Sequence, residues 1–275
     1  MIGYPCAKIN LGLNIVSKRS DGYHNLETVF YPISLCDKLE ITEAPITAEH
    51  ACAINIDGIR IEGSTEDNLV VKAYNLVKTM HPGLPPINVR LTKNIPTQAG
   101  MGGGSSDCAY TITMLNEMFS LGMTTVAMRQ LASTLGADCA FFVDPTPSFA
   151  TGIGDELVPI NVDLGGYTIC IIKPELKIST KEAFAGISPK PAAACCKDII
   201  ALPVDEWRGK LVNDFEQSLA PVHDEIPRIK QKLYDLGAVY ASMSGSGSAM
   251  FGIFTQAPAD LYPHFPDCQC YVIGQ

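Results

Sequence analysis

The sequence has little charge and no basic run. Of its 275 residues 18% are charged, with 20 Lys and Arg against 29 Asp and Glu, a formal net charge of -9. A nucleic-acid binder normally carries a basic excess or a basic stripe. Here the Lys/Arg clusters stop at pairs such as Lys18-Arg19, which argues against nucleic acid as a partner. A small anionic ligand would need a local cluster of donors against the adverse global charge. No segment approaches the roughly 18 uninterrupted apolar residues of a membrane span. The stretch Met1 to Asn14 interrupts its apolar run with Lys8 and Asn10. It lacks a signal peptide's basic start and small-residue cleavage site. A cytoplasmic protein with no membrane partner is expected. There is no Cys-X-X-Cys among the ten Cys, so the common zinc spacings are missing. Most of these Cys sit in apolar runs, as Cys139 and Cys170 do, and read as buried reduced thiols.

What is present is a globular composition. Hydrophobic residues make up 47%, which excludes a disordered chain. At this length folding buries roughly three quarters of the extended surface. Alternation predicts strands over Ala7 to Ser17, Lys38 to Thr42 and Ile87 to Leu91, and the apolar run Tyr167 to Lys173, stopped by Pro174, reads as another. Alternation also predicts a hairpin around Asp57-Gly58 within 53–61. Helices are predicted over Asn68 to Met80, after the Gly-rich loop at 100–104, over Thr125 to Leu135 and over Asp224 to Leu236. Pro227 is tolerated in the first turn of the last. Phe149 to Ile160 reads as strand, turn, strand. Val239 to Met243 and Ala249 to Phe254 flank a second Gly/Ser loop, and Tyr271 to Ile273 reads as a last strand. Residues 189–203 have no clear period and read as loop or short helix. Interleaved elements with hairpin signals argue for an α+β chain with antiparallel sheets. Turn clusters near 154–166 suggest two domains, 1–155 and 156–275.

Four clusters carry chemistry. The first is Pro96 to Asp107, with Gly100, Gly102, Gly103 and Gly104 followed by Ser105-Ser106-Asp107 and an apolar stripe of Cys108, Ile112, Leu115 and Phe119. So many glycines mean positive φ or a close approach. Ser and Asp are good N-cap types. A helix start offering bare N–H groups is an anion site, with phosphate the leading anion. It is not a Walker loop, since no Gly-Lys-Ser/Thr follows, and its spacing is not the dinucleotide fingerprint. The second cluster is Lys8 and Asn10, two apart and so on one side of a strand, followed by Tyr23-His24 on the Asp21-Gly22 turn. On these residues alone a snorkelling edge lysine competes with an anion-binding one. The third is Asp138, directly before Cys139 to Phe142, either a turn residue or a functional carboxylate. The fourth is Ser244 to Ser248, a hairpin loop or a second loop beside phosphate.

In this order the clusters resemble the GHMP-superfamily kinases along the whole chain. Ala7 to Leu11, Arg19 to Leu26, Ile95 to Asp107, Gly136 to Asp138, Asn213 to Glu216 and Gly245 to Ser248 carry the likeness. Met101 stands where the family usually has Leu, a volume-conserving change. The resemblance implies a two-lobed α+β fold with mixed and antiparallel sheets and an active site in the interlobe cleft. It implies an N-terminal ATP-binding domain and a C-terminal domain of the same superfamily. The Lys8 and Tyr23-His24 stretches set this member apart from mevalonate, homoserine and galactose kinases. They imply transfer of the ATP γ-phosphate to the 2-hydroxyl of 4-diphosphocytidyl-2-C-methyl-D-erythritol in non-mevalonate isoprenoid biosynthesis. By the same resemblance, Lys8 and Asp138 form the catalytic pair. Pro96, Gly100, Gly102, Gly103, Gly104, Ser105, Ser106 and Asn68 hold ATP. Asn10, Tyr23, His24, Ile153, Thr180 and Phe184 hold the cytidine diphosphate end. Mg²⁺ is implied by ATP, with Ser106 its one candidate ligand. Another small-molecule GHMP kinase and a non-catalytic nucleotide-binding regulator are the alternatives.

Overall fold

The structure is a computed structural model that describes residues 1–45 and 50–274. In chain order the elements are β1 (Ile2–Gly3), β2 (Cys6–Lys18), β3 (His24–Cys36), β4 (Lys38–Glu43), β5 (Cys52–Gly58), α1 (Leu69–Met80), β6 (Ile87–Lys93), α2 (Gly103–Met118) and α3 (Thr125–Ser133). A 3-10 helix, Ala137–Val143, follows. Then come β7 (Ser148–Thr151), β8 (Glu156–Pro159), β9 (Thr168–Pro174), α4 (Thr180–Ala185), α5 (Cys196–Ile199), α6 (Asp214–Leu219), α7 (Glu225–Asp235), β10 (Tyr240–Met243), β11 (Met250–Phe254) and β12 (Cys268–Gly274). Contacts divide the chain into two compact units, each discontinuous in sequence, where the turn clusters suggest one cut at 155. The first is Met1–Ala7, Leu35–Thr97 and Gly102–Pro145; the second is Lys8–Ser34, Gln98–Met101 and Thr146–Gln275.

The first unit is a sheet in the order β1-β4-β6-β5 with helices against it. Strand β4 pairs β6 antiparallel, Leu39 opposite Leu91. Val70, Ala73, Tyr74 and Val77 of α1 recur at helical spacing and pack with Cys108, Ile112 and Leu115 of α2 onto Leu39, Ile41, Val89 and Leu91. The predicted hairpin at Asp57-Gly58 is not there. Strand β5 runs straight to Gly58 and pairs β6 in parallel, from Cys52 opposite Ile87 to Gly58 opposite Lys93. Gly58 has φ +83°, and a Cβ there would lie 2.3 Å from the Lys93 carbonyl. The glycine therefore permits close backbone approach and a turn away from the sheet, not a fold back on β5.

The second unit holds two sheets, β2-β3-β7-β8 and β10-β11-β9-β12. Strand β9 lies between β11 and β12, antiparallel to both. Its Ile169, Cys170, Ile171 and Ile172 are all fully buried, which explains a run without alternation. Helix α7 lays Ile226, Ile229 and Leu233 into a core with Leu13, Ile15, Cys170, Ile172, Phe215 and Phe254. Strands β10 and β11 form the predicted antiparallel hairpin. All ten cysteines are free, and no helix among the described residues is long and apolar enough to cross a membrane.

Candidate functional site

In the first unit the glycine-rich segment ends in the start of α2. The helix begins earlier than Ser and Asp capping would put it. Its N-cap is Gly102, left-handed at φ +71°, with no side-chain cap. Ser105, Ser106 and Asp107 lie inside the first turns, so their expected capping role is corrected. The first intrahelical bond runs from the Ser106 N–H to the Gly102 carbonyl at 2.8 Å. The N–H groups of Gly103, Gly104 and Ser105 precede it and have no helical acceptor. Gly103 packs down, because a Cβ there would meet Ile95 Cγ2 at 2.9 Å; Gly104 faces outward, with only Leu69 Cδ1 at 3.8 Å. The Ser106 hydroxyl is buried and has no hydrogen-bond partner among the described residues. Donors and a positive dipole end thus meet at a backbone free of bulky side chains, the physical form of an anion site.

Beneath this turn lies a buried ion triad that pattern reasoning missed. Lys93 Nζ is 2.7 Å from Asp107 Oδ2 and also bonds Asp37 Oδ2. Asp37 Oδ1 accepts from the N–H groups of Asn94 at 2.6 Å and Ile95 at 2.9 Å. Burial works against the Lys93 charge, but the Asp107 and Asp37 carboxylates outweigh it and raise its pKa. Desolvation pushes Asp107 up to about 7, against the pull of Lys93. The signal was in β6: Ile87, Val89 and Leu91 alternate inward, and Lys93 is next on that face.

Asp138 sits half-buried in the first turn of the 3-10 helix of the first unit. Cys139, Ala140, Phe141 and Phe142 after it are buried, as the apolar run indicated. The Ser105 hydroxyl and the Cys139 thiol both lie beside Gly136, which brings the α2 turn next to the Asp138 turn. The Asn68 side chain caps α1, its Oδ1 accepting from the Val70 N–H at 2.9 Å. Pro96 is buried just before the loop.

In the second unit β2 brings Lys8 and Asn10 onto one face, as their spacing predicts. Both are buried. Lys8 Nζ donates to Asn10 Oδ1 at 2.6 Å and to the Gly100 carbonyl at 2.9 Å. It also lies 4.9 Å from the centre of the Phe30 ring. Asn10 Nδ2 donates to Thr28 Oγ1 at 2.9 Å. The Lys8 N–H donates to the Met101 carbonyl at 3.0 Å. Lys8 is therefore buried and held in place, and the snorkelling alternative fails.

Three ring side chains of this unit pack in series. His24 lies on Phe184 with ring centres 4.7 Å apart and planes 21° apart. Phe184 in turn meets Phe215 edge-on at 4.8 Å. Tyr23 is 61% exposed, on a turn closed by the Arg19 N–H to the Tyr23 carbonyl at 2.8 Å. Ile153 is half-buried in the turn between β7 and β8, beside β3 through the Leu26 N–H to Gly152 carbonyl bond at 2.8 Å. Thr180 opens α4, exposed, behind the Ser179 cap.

Known proteins agree with this anatomy. The family described as GHMP kinases N terminal domain matches residues 68–145, and GHMP kinases C terminal matches 201–262. A 4-diphosphocytidyl-2-C-methyl-D-erythritol kinase of Bacteroides thetaiotaomicron is 52% identical over 255 residues, 92% of each chain. One from Parabacteroides distasonis is 47% identical over 254 residues, again 92% of each. A crystal structure titled 4-(cytidine 5'-diphospho)-2C-methyl-D-erythritol kinase superposes with TM-score 0.78 at 26% identity, covering 100% of both chains. The chain belongs to the GHMP kinases and, within them, to the family of 4-diphosphocytidyl-2-C-methyl-D-erythritol kinases.

Proposed function

We propose that this protein transfers the γ-phosphate of ATP to the 2-hydroxyl of 4-diphosphocytidyl-2-C-methyl-D-erythritol, releasing ADP, in the cytoplasm. The observation that carries the reading is the start of α2. There, N–H groups without a side-chain cap and the Ser106 hydroxyl, unpartnered among the described residues, lie behind a glycine surface. Relatives about half identical to this chain are named for that kinase.

The residues fit ATP with Mg²⁺. Ser106 offers a buried oxygen without a hydrogen-bond partner among the described residues. Gly100, Gly102, Gly103 and Gly104 leave the backbone open, and Ser105 adds its N–H. Pro96 fixes the approach to the loop, and Asn68 would face the nucleoside while capping α1. Bound there, Mg²⁺ would offset phosphate charge, with Ser106 as its protein ligand. Among the described residues no cluster of three or more His, Cys, Asp or Glu could hold a metal by itself.

Phosphoryl transfer is mainly positioning and charge stabilisation. Asp138 would orient the acceptor hydroxyl and take its proton. Lys8, locked by Asn10 and Gly100, would supply a fixed positive charge to the reacting oxygens. His24 and Phe184 offer a ring face to cytosine, with Tyr23, Ile153, Thr180 and Asn10 as its further contacts. ADP release from ATP, Mg²⁺ and the cytidyl acceptor, measured for the unaltered protein and for Asp138→Asn, tests this. Turnover is expected to fall by about 10²-fold or more in a variant that still melts cooperatively. Turnover that survives removes Asp138 as proton acceptor. ATP binding without turnover on any acceptor would instead favour a regulator.

A further inference from the structure

The loop between β10 and β11, Ser244 to Ser248, is given no role in the reaction proposed above, yet it is built against Gly100, whose carbonyl accepts from Lys8. The approach is backbone on backbone. A Cβ on Gly100 would stand 1.9 Å from the Ser244 carbonyl oxygen and 3.0 Å from the Gly247 nitrogen. A Cβ on Gly247 would stand 2.2 Å from the Gly100 nitrogen and 2.3 Å from the Ala99 carbonyl carbon. Neither glycine can be replaced without moving the other strand of chain. The Ala249 N–H reaches the Ala99 carbonyl at 3.3 Å.

Within that contact one carbonyl has two donors. The Gly100 oxygen accepts from Ser244 Oγ at 2.9 Å and from Lys8 Nζ at 2.9 Å. A carbonyl has two lone pairs and can serve both. Ser244 is itself fixed. Its N–H donates to the Ala249 carbonyl at 2.9 Å. Asn213, buried as the N-cap of α6, donates to the Met243 and Gly245 carbonyls, each at 2.9 Å. At the loop's far end Ser248 Oγ donates to the Leu176 carbonyl at 2.7 Å. Ser244 and Lys8 are both almost wholly buried, so water does not readily replace a lost partner.

We infer that Ser244 is a positioning residue for Lys8. Its hydroxyl fixes the Gly100 carbonyl, and that carbonyl with Asn10 fixes the ammonium. A lysine head on four rotatable carbons needs such acceptors if its charge is to stay in one place. The inference rests on the reading of Lys8 as a catalytic residue.

The test compares Ser244→Ala, Ser244→Thr, Ser248→Ala and Lys8→Met by steady-state kinetics and thermal melting. Ser244→Ala is expected to lower kcat about tenfold, with KM for ATP and acceptor within about twofold. Ser244→Thr, which keeps the hydroxyl, should restore most of kcat. Ser248→Ala, which loosens the same loop away from Gly100, should lower the melting temperature and leave kcat alone. If both serine-to-alanine variants lose kcat alike, the loop is only a clamp and the inference fails. A folded Ser244→Ala with unaltered kcat, beside an inactive Lys8→Met, also overturns it. An active Lys8→Met would refute the catalytic role of Lys8 itself. Should Ser244→Ala not fold, Ser244→Cys, nearly equal in volume but a weak donor, is measured against the same criteria.

Discussion

Gly104→Ala separates what the fold requires from what a nucleotide requires. Gly104 is the second residue of α2. A methyl group there would make only an ordinary contact, 3.8 Å from Leu69 Cδ1. Replacing a helical glycine by alanine stabilises by roughly 0.5–1 kcal/mol. In a chain of this size that is a rise of about 1–4 °C in Tm. If phosphates lie against this turn, the same methyl group stands between them and the N–H groups. Kd for ATP, measured by calorimetry, is then expected to rise about tenfold, or about 1.4 kcal/mol. Gly103→Ala is the contrast, because its methyl group would press on Ile95 at 2.9 Å, so Tm should fall. A Gly104→Ala protein that melts higher and binds ATP as tightly as before would refute the phosphate cradle at this residue.

Asp107 makes stability depend on pH. Its pKa is pushed up from 3.8 to about 7, so the folded state holds the proton more tightly than the unfolded state does. This group's contribution therefore falls as pH rises from about 4 to about 7 and is level above that. The melting-temperature difference between Asp107→Asn and the unaltered protein should shift in the variant's favour across that window; a constant difference would contradict the shift. His24→Leu removes the ring stacked on Phe184. KM for the cytidyl acceptor should rise about tenfold with KM for ATP unchanged, since base–ring stacking is worth about 1–3 kcal/mol. Equal changes in both constants would count against cytosine at this stack. Asn68→Ala removes the cap on Val70 and should lower stability by about 1 kcal/mol in denaturant melts.

Local signals in the sequence located several elements that carry the candidate site. Alternation put Lys8 and Asn10 on one face of β2. The Gly run and the stripe Cys108, Ile112, Leu115 located α2 and the uncapped turn at its start. Contacts between distant segments were not legible. Strand β3 was missed because Pro32 and the mixed run His24 to Cys36 blur a two-residue period, and Pro argues against a strand interior. The parallel pairing of β5 with β6 has no local signature, so Asp57-Gly58 read as a hairpin. Lys93, Asp37 and Asp107 meet from positions 56 and 14 residues apart, a juxtaposition that only the register of β4 on β6 and the seating of α2 create. Ser244 touches Gly100 across 144 residues for the same kind of reason.

An ATP-dependent kinase of this family would be selective for an acceptor that carries cytidine diphosphate. The most direct test of this claim is ADP release with Mg²⁺ and ATP, using the cytidyl-methylerythritol acceptor, mevalonate, homoserine and no acceptor in parallel. Turnover is expected with the cytidyl acceptor alone, the other three remaining at background. Turnover with mevalonate or homoserine at a comparable kcat/KM would contradict the claim, as would ADP release that does not depend on any acceptor.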